Sequence, residues 1–189
     1  MKTEIFQLER CTTPTGRMLI VNDDQGRLRA LDWEDHEERM LRLMRRYYRD
    51  TDIRLCEATR KSTARRALDA YFAGEFAAID ELQTATNGTD FQREVWSALR
   101  RIPSGRTLSY GALATQIARP AAVRAVGLAN GANPIAIVVP CHRVIGANAS
   151  LTGYGGGLQR KRWLLAHEGA AESLALEATP PRLAAASAR

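Results

Sequence analysis

The segment Ile135–Val139, together with the Pro140 that follows it, constrains the fold of this chain most strongly. All five residues are apolar and four of them are β-branched, a composition typical of a buried strand. Pro140 has no backbone N–H and therefore ends such a strand. Cys141 and His142 come next. Because histidine is the usual base that removes the proton of a thiol, the segment predicts a buried strand that presents a nucleophilic cysteine.

A structural interpretation of Cys141 competes with the nucleophilic one, since most single cysteines in proteins behave as small buried apolar residues. The glycine-rich segment 153–157, Gly-Tyr-Gly-Gly-Gly, favours the nucleophile, because a core strand rarely continues into such a loop. Cys11 and Cys56 are the other two cysteines, and no zinc-like spacing relates the three. We therefore predict no metal site and a reducing, cytoplasmic location.

The first half of the chain is predicted to form a small α/β domain over residues 1–85 with a supporting role. Turn residues at 14–16 and 23–26 separate three predicted strands. The predicted elements are strands 4–10, 18–22 and 28–33, followed by helices 34–49 and 63–73. The arginine-rich run 42–49 has two interpretations, a nucleic-acid patch or a solvated helix face, and its interleaved apolar residues favour the second.

The second half begins after a polar, turn-rich linker at 84–88, which we predict to be the domain boundary. Thr89 and Gln92 have the spacing of a capping box, so a helix is expected to begin there. Large apolar residues then recur on one face of that helix: Phe91, Val95, Trp96 and Leu99. This face is expected to pack in the core.

Two short helices across a tight turn predict a helix-turn-helix in the middle of the second half. Ser109 is placed to cap a helix over 110–117, and Pro120 suits the first turn of a second helix over 121–131. The second helix consists mostly of small residues: Ala121, Ala122, Ala125, Gly127, Ala129 and Gly131. Such a helix either packs closely against another element or enters a narrow groove. In a groove, Arg124, its one long polar side chain before Asn130, would act as a wedge.

The charge balance is consistent with an anionic partner without proving one. The formal net charge is +6, and 24 of the 27 basic residues are arginine. A codon bias toward arginine explains such a composition as well as nucleic-acid binding does. No apolar run is long enough to span a bilayer, so a membrane role is not expected.

The segments Pro140-Cys-His-Arg-Val-Ile-Gly146 and 152–169, TGYGGGLQRKRWLLAHEG, resemble the active-site signature of the O6-alkylguanine-DNA alkyltransferases of bacterial type. The similarity extends from about residue 89 to residue 169. It implies an α/β (α+β) protein with a small three-stranded sheet domain and a mostly helical second domain. The second domain, over 86–170, would carry the helix-turn-helix and the reactive cysteine. The Ala-rich segment 171–189 is expected to be a poorly ordered tail without a catalytic role.

The resemblance also implies roles for individual residues. Cys141 would attack the alkyl carbon as a thiolate, and His142 would accept its proton through a water. Glu168 would orient His142, and Asn133 would brace the turn before the active site. Tyr110 would donate a proton to the departing guanine and would also contact the DNA.

Further residues inherit contacts with DNA and with the damaged base. Arg124 would take the place of a flipped-out nucleotide, with Ala125, Gly127 and Gly131 on the same DNA-binding helix. The alkylguanine pocket would comprise Val144, Tyr154, Gly155 and Gly156. Within it, the Cys141 and Val144 backbones would accept from the guanine amino group, Tyr154 would stack on the base, and the Gly155 N–H would bind O6. Arg143 is interpreted as structural, bridging loop carbonyls from beneath the site.

The implied activity is repair of double-stranded DNA containing O6-alkylguanine, in a single turnover and without a cofactor. The alkyl group would end as a thioether on Cys141, which neither water nor a second thiol readily displaces. No obligate protein partner is expected, while O4-alkylthymine as substrate and self-association along DNA stay open. Two other classes compete: a damage-sensing helix-turn-helix protein without chemistry, and a cysteine hydrolase, for which the sequence offers no oxyanion-hole motif.

Overall fold

The computed structural model describes residues 2–170, so the predicted tail 171–189 lies outside the described residues. The first half contains a four-stranded sheet in the order β3-β2-β1-β4. The strands are β1 (Lys2–Thr13), β2 (Gly16–Asn22), β3 (Leu28–Trp33) and β4 (Thr51–Glu57). Strand β1 pairs antiparallel with β2 and parallel with β4, and the connection to β4 includes helix α1 (Glu37–Tyr47).

The sheet therefore contains one strand, β4, that the sequence did not predict. Strand β4 is an edge strand with no fully buried residue, and it carries Asp52, Arg54 and Glu57. Its apolar residues Ile53 and Leu55 alternate with polar ones, which is the signal that identifies a half-exposed strand. The low hydrophobicity of the segment hid that pattern.

The helices follow the predicted order with shifted ends. The first predicted helix begins as a 3₁₀ turn over Glu34–His36 before α1. Helix α2 spans Thr63–Phe72, with the Ser62 hydroxyl accepting from the Arg65 backbone N–H at its start. The predicted capping box is confirmed at the start of α3, where Thr89 and Gln92 satisfy each other's backbone N–H groups. The remaining helices are α3 (Asp90–Arg100), α4 (Tyr110–Gln116), α5 (Val123–Gly131) and α6 (Leu158–His167).

The second helix of the predicted helix-turn-helix starts later than expected. Ser109 caps α4 as predicted, but Pro120–Ala122 forms a 3₁₀ turn, and the α-helix begins only at Val123. The proline fits this first turn because it has no backbone N–H to leave unpaired. Helix α5 packs against both α3 and α4.

The predicted strand at Ile135–Val139 is wrong. The segment is buried but consists of turns, with one isolated bridge from Ile135 to Leu31. Ile137 has a φ of +65°, in the left-handed region that a β-branched residue rarely occupies. Apart from the hydrogen bonds to Leu31 of β3, the backbone of this segment bonds to groups within 133–141. Burial therefore explains the apolar composition of the segment, without a sheet.

The two halves of the chain share one hydrophobic core. Apolar residues of β2 and β3 cluster with those of α2, α3, α4 and the 135–139 segment. Backbone hydrogen bonds fix the junction: the Leu31 N–H donates to the Pro134 carbonyl at 3.0 Å, and the Ala136 N–H donates to the Leu31 carbonyl at 2.8 Å. A short parallel pair, β5 (Leu108–Ser109) and β6 (Val144–Ile145), joins α4 to the cysteine segment. No helix in residues 2–170 is long and apolar enough to cross a bilayer.

Candidate active site

Cys141 lies at the start of a 3₁₀ turn, Cys141–Arg143, and is only 6% exposed. The side chain of Asn133 holds this turn in place. Its Nδ2 lies 3.1 Å from the Cys141 Sγ, and it also contacts the carbonyl oxygens of Ile135 at 3.1 Å and Val139 at 2.8 Å. Its Oδ1 accepts from the Ile135 N–H at 2.9 Å. A single amide thus sets both the backbone of the buried turn and the position of the sulfur.

Behind Cys141, the buried carboxylate of Glu168 forms hydrogen bonds with three side chains. The Glu168 Oε1 lies 3.0 Å from the His142 Nε2 and accepts from the Tyr71 hydroxyl at 2.7 Å. Arg143 donates to both oxygens of Glu168, at 2.8 Å each. Arg143 also donates to the Ile102 carbonyl at 2.5 Å, as expected of a residue that bridges loop carbonyls, but its bidentate partner Glu168 was not predicted.

The network determines which of these groups carry charge. Burial alone would raise the pKa of Glu168, but hydrogen bonds and charges from His142 and Arg143 outweigh it and hold that pKa far below its usual range. The pKa of Tyr71 is raised, first by burial and then by Glu168, so this phenol stays a hydrogen-bond donor. Glu168 and Arg143 therefore form a buried ion pair.

The nucleophile and its neighbouring base are both neutral before a substrate binds. Burial raises the pKa of the Cys141 thiol, and burial lowers the pKa of His142 despite the nearby carboxylate. With the His142 Nε2 bonded to Glu168, its Nδ1 is the remaining acceptor, and this buried nitrogen has no protein partner among the described residues. The imidazole is thus arranged to receive a proton at Nδ1 and to be stabilised through Nε2.

A cavity of about 360 Å³ opens onto Cys141, between α5 and the loop 146–157. Its lining comprises Tyr110, Gly127, Asn130, Gly131, Cys141, Thr152, Gly153, Tyr154 and Gly155. Six of the sequence-predicted residues thus meet at one cavity. Val144, Gly156, Arg124, Ala125 and the catalytic candidates His142, Glu168 and Asn133 do not line it. Asn130, Thr152 and Gly153 line it and were not among the predicted site residues.

Lys161 is a further buried residue that the sequence analysis missed. Its Nζ donates to the Val144 carbonyl at 2.6 Å and to the Thr152 carbonyl at 3.0 Å, which joins the cysteine turn to the cavity loop. Burial lowers its pKa to about 8. A signal was present, because Lys161 precedes the buried Leu164 and Leu165 by three and four residues and therefore shares their helix face.

Replacing Lys161 with methionine should slow the reaction of Cys141 about tenfold, because the cavity loop loses its hydrogen-bonded connection to the turn that carries Cys141. The melting temperature should change little, since the relief of a buried charge offsets the lost hydrogen bonds. Reaction rates and hydrogen exchange of residues 146–157 would measure both effects. Lys61→Met removes an exposed lysine and serves as the control. Unchanged hydrogen exchange of residues 146–157 in this variant would show that Lys161 does not hold the loop in place.

Side chains from the first half of the chain pack against the outer side of the cavity loop. A Cβ added at Gly155 would lie 2.6 Å from the Arg39 guanidinium carbon, and one at Gly156 would lie 2.3 Å from the Trp33 ring. Arg39 also donates to the Gly131 carbonyl at 3.0 Å and to the Asn133 carbonyl at 3.1 Å. At these two glycines protein side chains approach the backbone so closely that a Cβ would not fit without a shift.

Helix α5 presents a smooth surface beside the cavity. Arg124, Ala125, Leu128 and Gly131 are exposed on it, and Leu128, at 72%, is an unusually exposed large apolar side chain. Arg124 makes no ion pair with any carboxylate in residues 2–170. An exposed arginine beside an apolar side chain on a slim helix suits insertion between stacked bases.

The fold and the site together define a protein that presents a buried cysteine nucleophile beside a helix-turn-helix. Two family models match the chain: the ribonuclease-like domain of 6-O-methylguanine DNA methyltransferase at residues 9–86, and the DNA binding domain of that protein at 90–170. The chain belongs to the 6-O-methylguanine DNA methyltransferase family.

Curated relatives and solved structures agree with this assignment. The methylated-DNA–protein-cysteine methyltransferase of Salmonella typhimurium is 56% identical over 161 residues, which cover 85% of this chain and 94% of that protein. A crystal structure of Mycobacterium tuberculosis OGT in complex with DNA matches with a TM-score of 0.69 and 42% identity, covering 86% of this chain and 92% of that one. The methyltransferase of Pyrococcus kodakaraensis, at 23% identity, shares the fold with a TM-score of 0.63, covering 87% and 99% of the two chains.

Proposed function

We propose that this protein repairs O6-alkylguanine in duplex DNA by moving the alkyl group irreversibly to the sulfur of Cys141. The observation that carries the proposal is the position of Cys141 in a cavity bordered by the helix-turn-helix. A base inside a duplex is out of reach of a buried thiol, so the damaged nucleotide must first be extruded into that cavity. The relative at 56% identity is named for methylated DNA, and the matching family models are named for 6-O-methylguanine, which supports this substrate class.

The reaction balances with groups of this chain and solvent water. The thiol proton passes through a water to the His142 Nδ1, and Glu168 stabilises the imidazolium. The thiolate attacks the alkyl carbon, the carbon–oxygen bond breaks, and its electron pair stays on the guanine. Tyr110, on the cavity wall, donates a proton to the departing base. The tyrosinate then regains a proton from solvent, and the His142 imidazolium releases the thiol proton to solvent. The products are unmodified guanine and a thioether at Cys141.

The thioether makes the reaction a single turnover. A carbon–sulfur bond of this kind is not displaced by water or by another thiol, so each molecule would accept one alkyl group. The thiol must also be kept free, which supports the predicted reducing cytoplasm.

The first test is the intact mass of the protein after incubation with a duplex carrying one O6-methylguanine. The expected result is a gain of one methyl group, mapped to the peptide containing Cys141 and saturating at one per molecule. A duplex that binds without any mass change would instead support a damage sensor. The same assay with O4-methylthymine would define the substrate range.

Replacing Arg124 with alanine should slow repair in a duplex at least about tenfold, since no side chain then fills the gap left by the extruded nucleotide. Transfer from free O6-methylguanine base should be unchanged, because no duplex has to open. Both rates can be followed by the methylated mass of the protein. The control is Arg101→Ala, which removes an exposed arginine at the C-terminal cap of α3. An equal decrease in the transfer rate from the duplex and from the free base would contradict the wedge role of Arg124.

A further inference from the structure

The guanidinium of Arg160 connects the cavity loop to the first half of the chain. Arg160 is the third residue of α6, which begins directly after the loop 146–157. Its Nη1 donates to the carbonyl oxygen of Gly156, in the loop, at 3.1 Å. Its Nε donates to the Thr15 carbonyl at 2.9 Å, and its Nη2 donates to the Asp35 carboxylate at 2.9 Å. One planar side chain therefore holds three separate segments together.

Trp33 fixes the position of this guanidinium. The guanidinium carbon of Arg160 lies 4.9 Å from the centroid of the Trp33 ring, which is fully buried. The indole N–H of Trp33 donates to the Thr15 hydroxyl at 3.0 Å, so Thr15 binds both side chains. The same ring packs edge-on against Tyr154, with the centroids 5.9 Å apart. A guanidinium that stacks on a ring and has three engaged nitrogens can occupy few positions.

The cavity loop is held at two points, with a cavity residue between them. Lys161 donates to the Thr152 carbonyl at 3.0 Å, and Arg160 donates to the Gly156 carbonyl. Tyr154 lies between these two positions in the sequence and lines the cavity. Displacement of Arg160 would therefore free the end of the loop nearest α6, and Tyr154 with it, while Lys161 would still hold residue 152.

We propose that Arg160 is a positioning residue for alkyl transfer, which holds the cavity loop, and Tyr154 with it, in place against the first half of the chain. Arg160 does not line the cavity, so it acts through the loop and not on the substrate. The proposal rests on the proposed function, since it concerns the same site. It gives the first half of the chain a direct influence on the reaction rate, whereas the sequence predicted only a supporting role.

Replacing Arg160 with methionine removes all three hydrogen bonds and keeps an unbranched stem. The rate constant of methyl transfer at saturating O6-methylguanine duplex should fall about tenfold, because fewer molecules hold the loop in the reactive position. The dissociation constant of the duplex should change by less than about threefold, since only one charge is lost and α5 is untouched. Intact mass over time and fluorescence anisotropy give the two values. Arg162→Met is the matched control, because Arg162 is exposed on the same helix.

The variant Arg160→Lys separates geometry from charge. It keeps the positive charge, but a single ammonium group cannot reach three separated acceptors or stack as a planar guanidinium does. Its rate constant should therefore stay close to that of Arg160→Met. Hydrogen exchange of residues 153–157 should be faster in both variants and unchanged in Arg162→Met. A lysine variant that transfers the methyl group at the normal rate would show that Arg160 contributes only its charge, which would overturn the proposal.

Asp35 tests the connection to the first half of the chain. Its side chain is 60% exposed, and its carboxylate meets α6 through Arg160. Asp35→Ala should slow methyl transfer about threefold, within the range of an exposed ion pair. The same change should not slow the Arg160→Met protein any further, because the ion pair is already absent there. Additive losses in the double variant would overturn the connection through Arg160.

The rate constant of a single-turnover reaction is taken from the molecules that react. A partly unfolded preparation therefore lowers the final mass gain and leaves the rate constant unchanged. A rate constant of Arg160→Met equal to that of the unmodified protein would overturn the proposal, and so would a loss confined to duplex affinity. If the unmodified protein transferred no methyl group at all, the proposed function itself would have failed.

Discussion

Replacing Cys141 with serine should abolish the gain of a methyl group on incubation with an O6-methylguanine duplex, while affinity for the duplex is retained. An alcohol is a far weaker acid and nucleophile than a thiol, and the neighbouring imidazole cannot hold an appreciable fraction of it as the anion. The serine hydroxyl still fits the turn, because the Asn133 amide that lies 3.1 Å from the sulfur can donate to an oxygen. Intact mass and fluorescence anisotropy measure the two properties on the same samples.

The other two cysteines provide the matched controls. Cys56 is exposed on an edge strand and Cys11 is buried in the core, and neither lines the cavity. Cys56→Ser should gain one methyl group at the normal rate, and Cys11→Ser should do so with some loss of stability. Methylation of the Cys141→Ser protein at another residue would show that Cys141 is not the acceptor. Loss of DNA binding in this variant would instead give Cys141 a structural role.

Replacing Glu168 with glutamine should cost about 3–5 kcal/mol of unfolding free energy, because it leaves the Arg143 guanidinium buried without a counter-charge. Both side chains are almost fully shielded from solvent, so water cannot compensate for the lost charge. The change should also slow transfer, since the His142 imidazolium would form without its carboxylate. Urea denaturation gives the first effect and the rate of methylation gives the second.

The stability lost in this variant should depend on pH in a defined direction. The folded pKa of Glu168 lies far below the value of about 4.3 expected in the unfolded chain. A carboxylate of this kind contributes its full stability above the unfolded pKa and loses it as the pH falls toward the folded pKa. The difference in unfolding free energy between the two proteins should therefore be constant from about pH 8 to pH 6 and shrink below about pH 4.

Glu81→Gln is the matched control for this series. Glu81 is exposed and makes no ion pair with any residue in the described range. Its replacement should change the unfolding free energy by less than about 0.5 kcal/mol. If Glu168→Gln were no less stable than Glu81→Gln, the buried pair would contribute nothing to folding.

Features that depend on a few neighbouring residues could be predicted from the sequence. The capping box at Thr89, the helix start at Ser109 and the turn at Pro120 are written in short patterns whose hydrogen bonds close within three or four residues. The Pro140-Cys141-His142 motif located the site for a similar reason, because its resemblance to a family is also carried by contiguous residues. The sequence therefore determined where α3 and α4 begin and where the candidate nucleophile lies.

The tertiary structure decided which groups complete the site. The apolar run 135–139 became a buried turn instead of a strand because Asn133 supplies hydrogen bonds that a sheet would otherwise provide. Asn130 lines the cavity from α5, and Lys161 of α6 holds the cavity loop through the Thr152 carbonyl. Trp33 and Arg39 support the same loop from the first half of the chain. These contacts join residues as distant in the chain as Trp33 and Gly156. The conformational preferences of neighbouring residues cannot indicate such pairings, because the contacts form only after the two halves share a core.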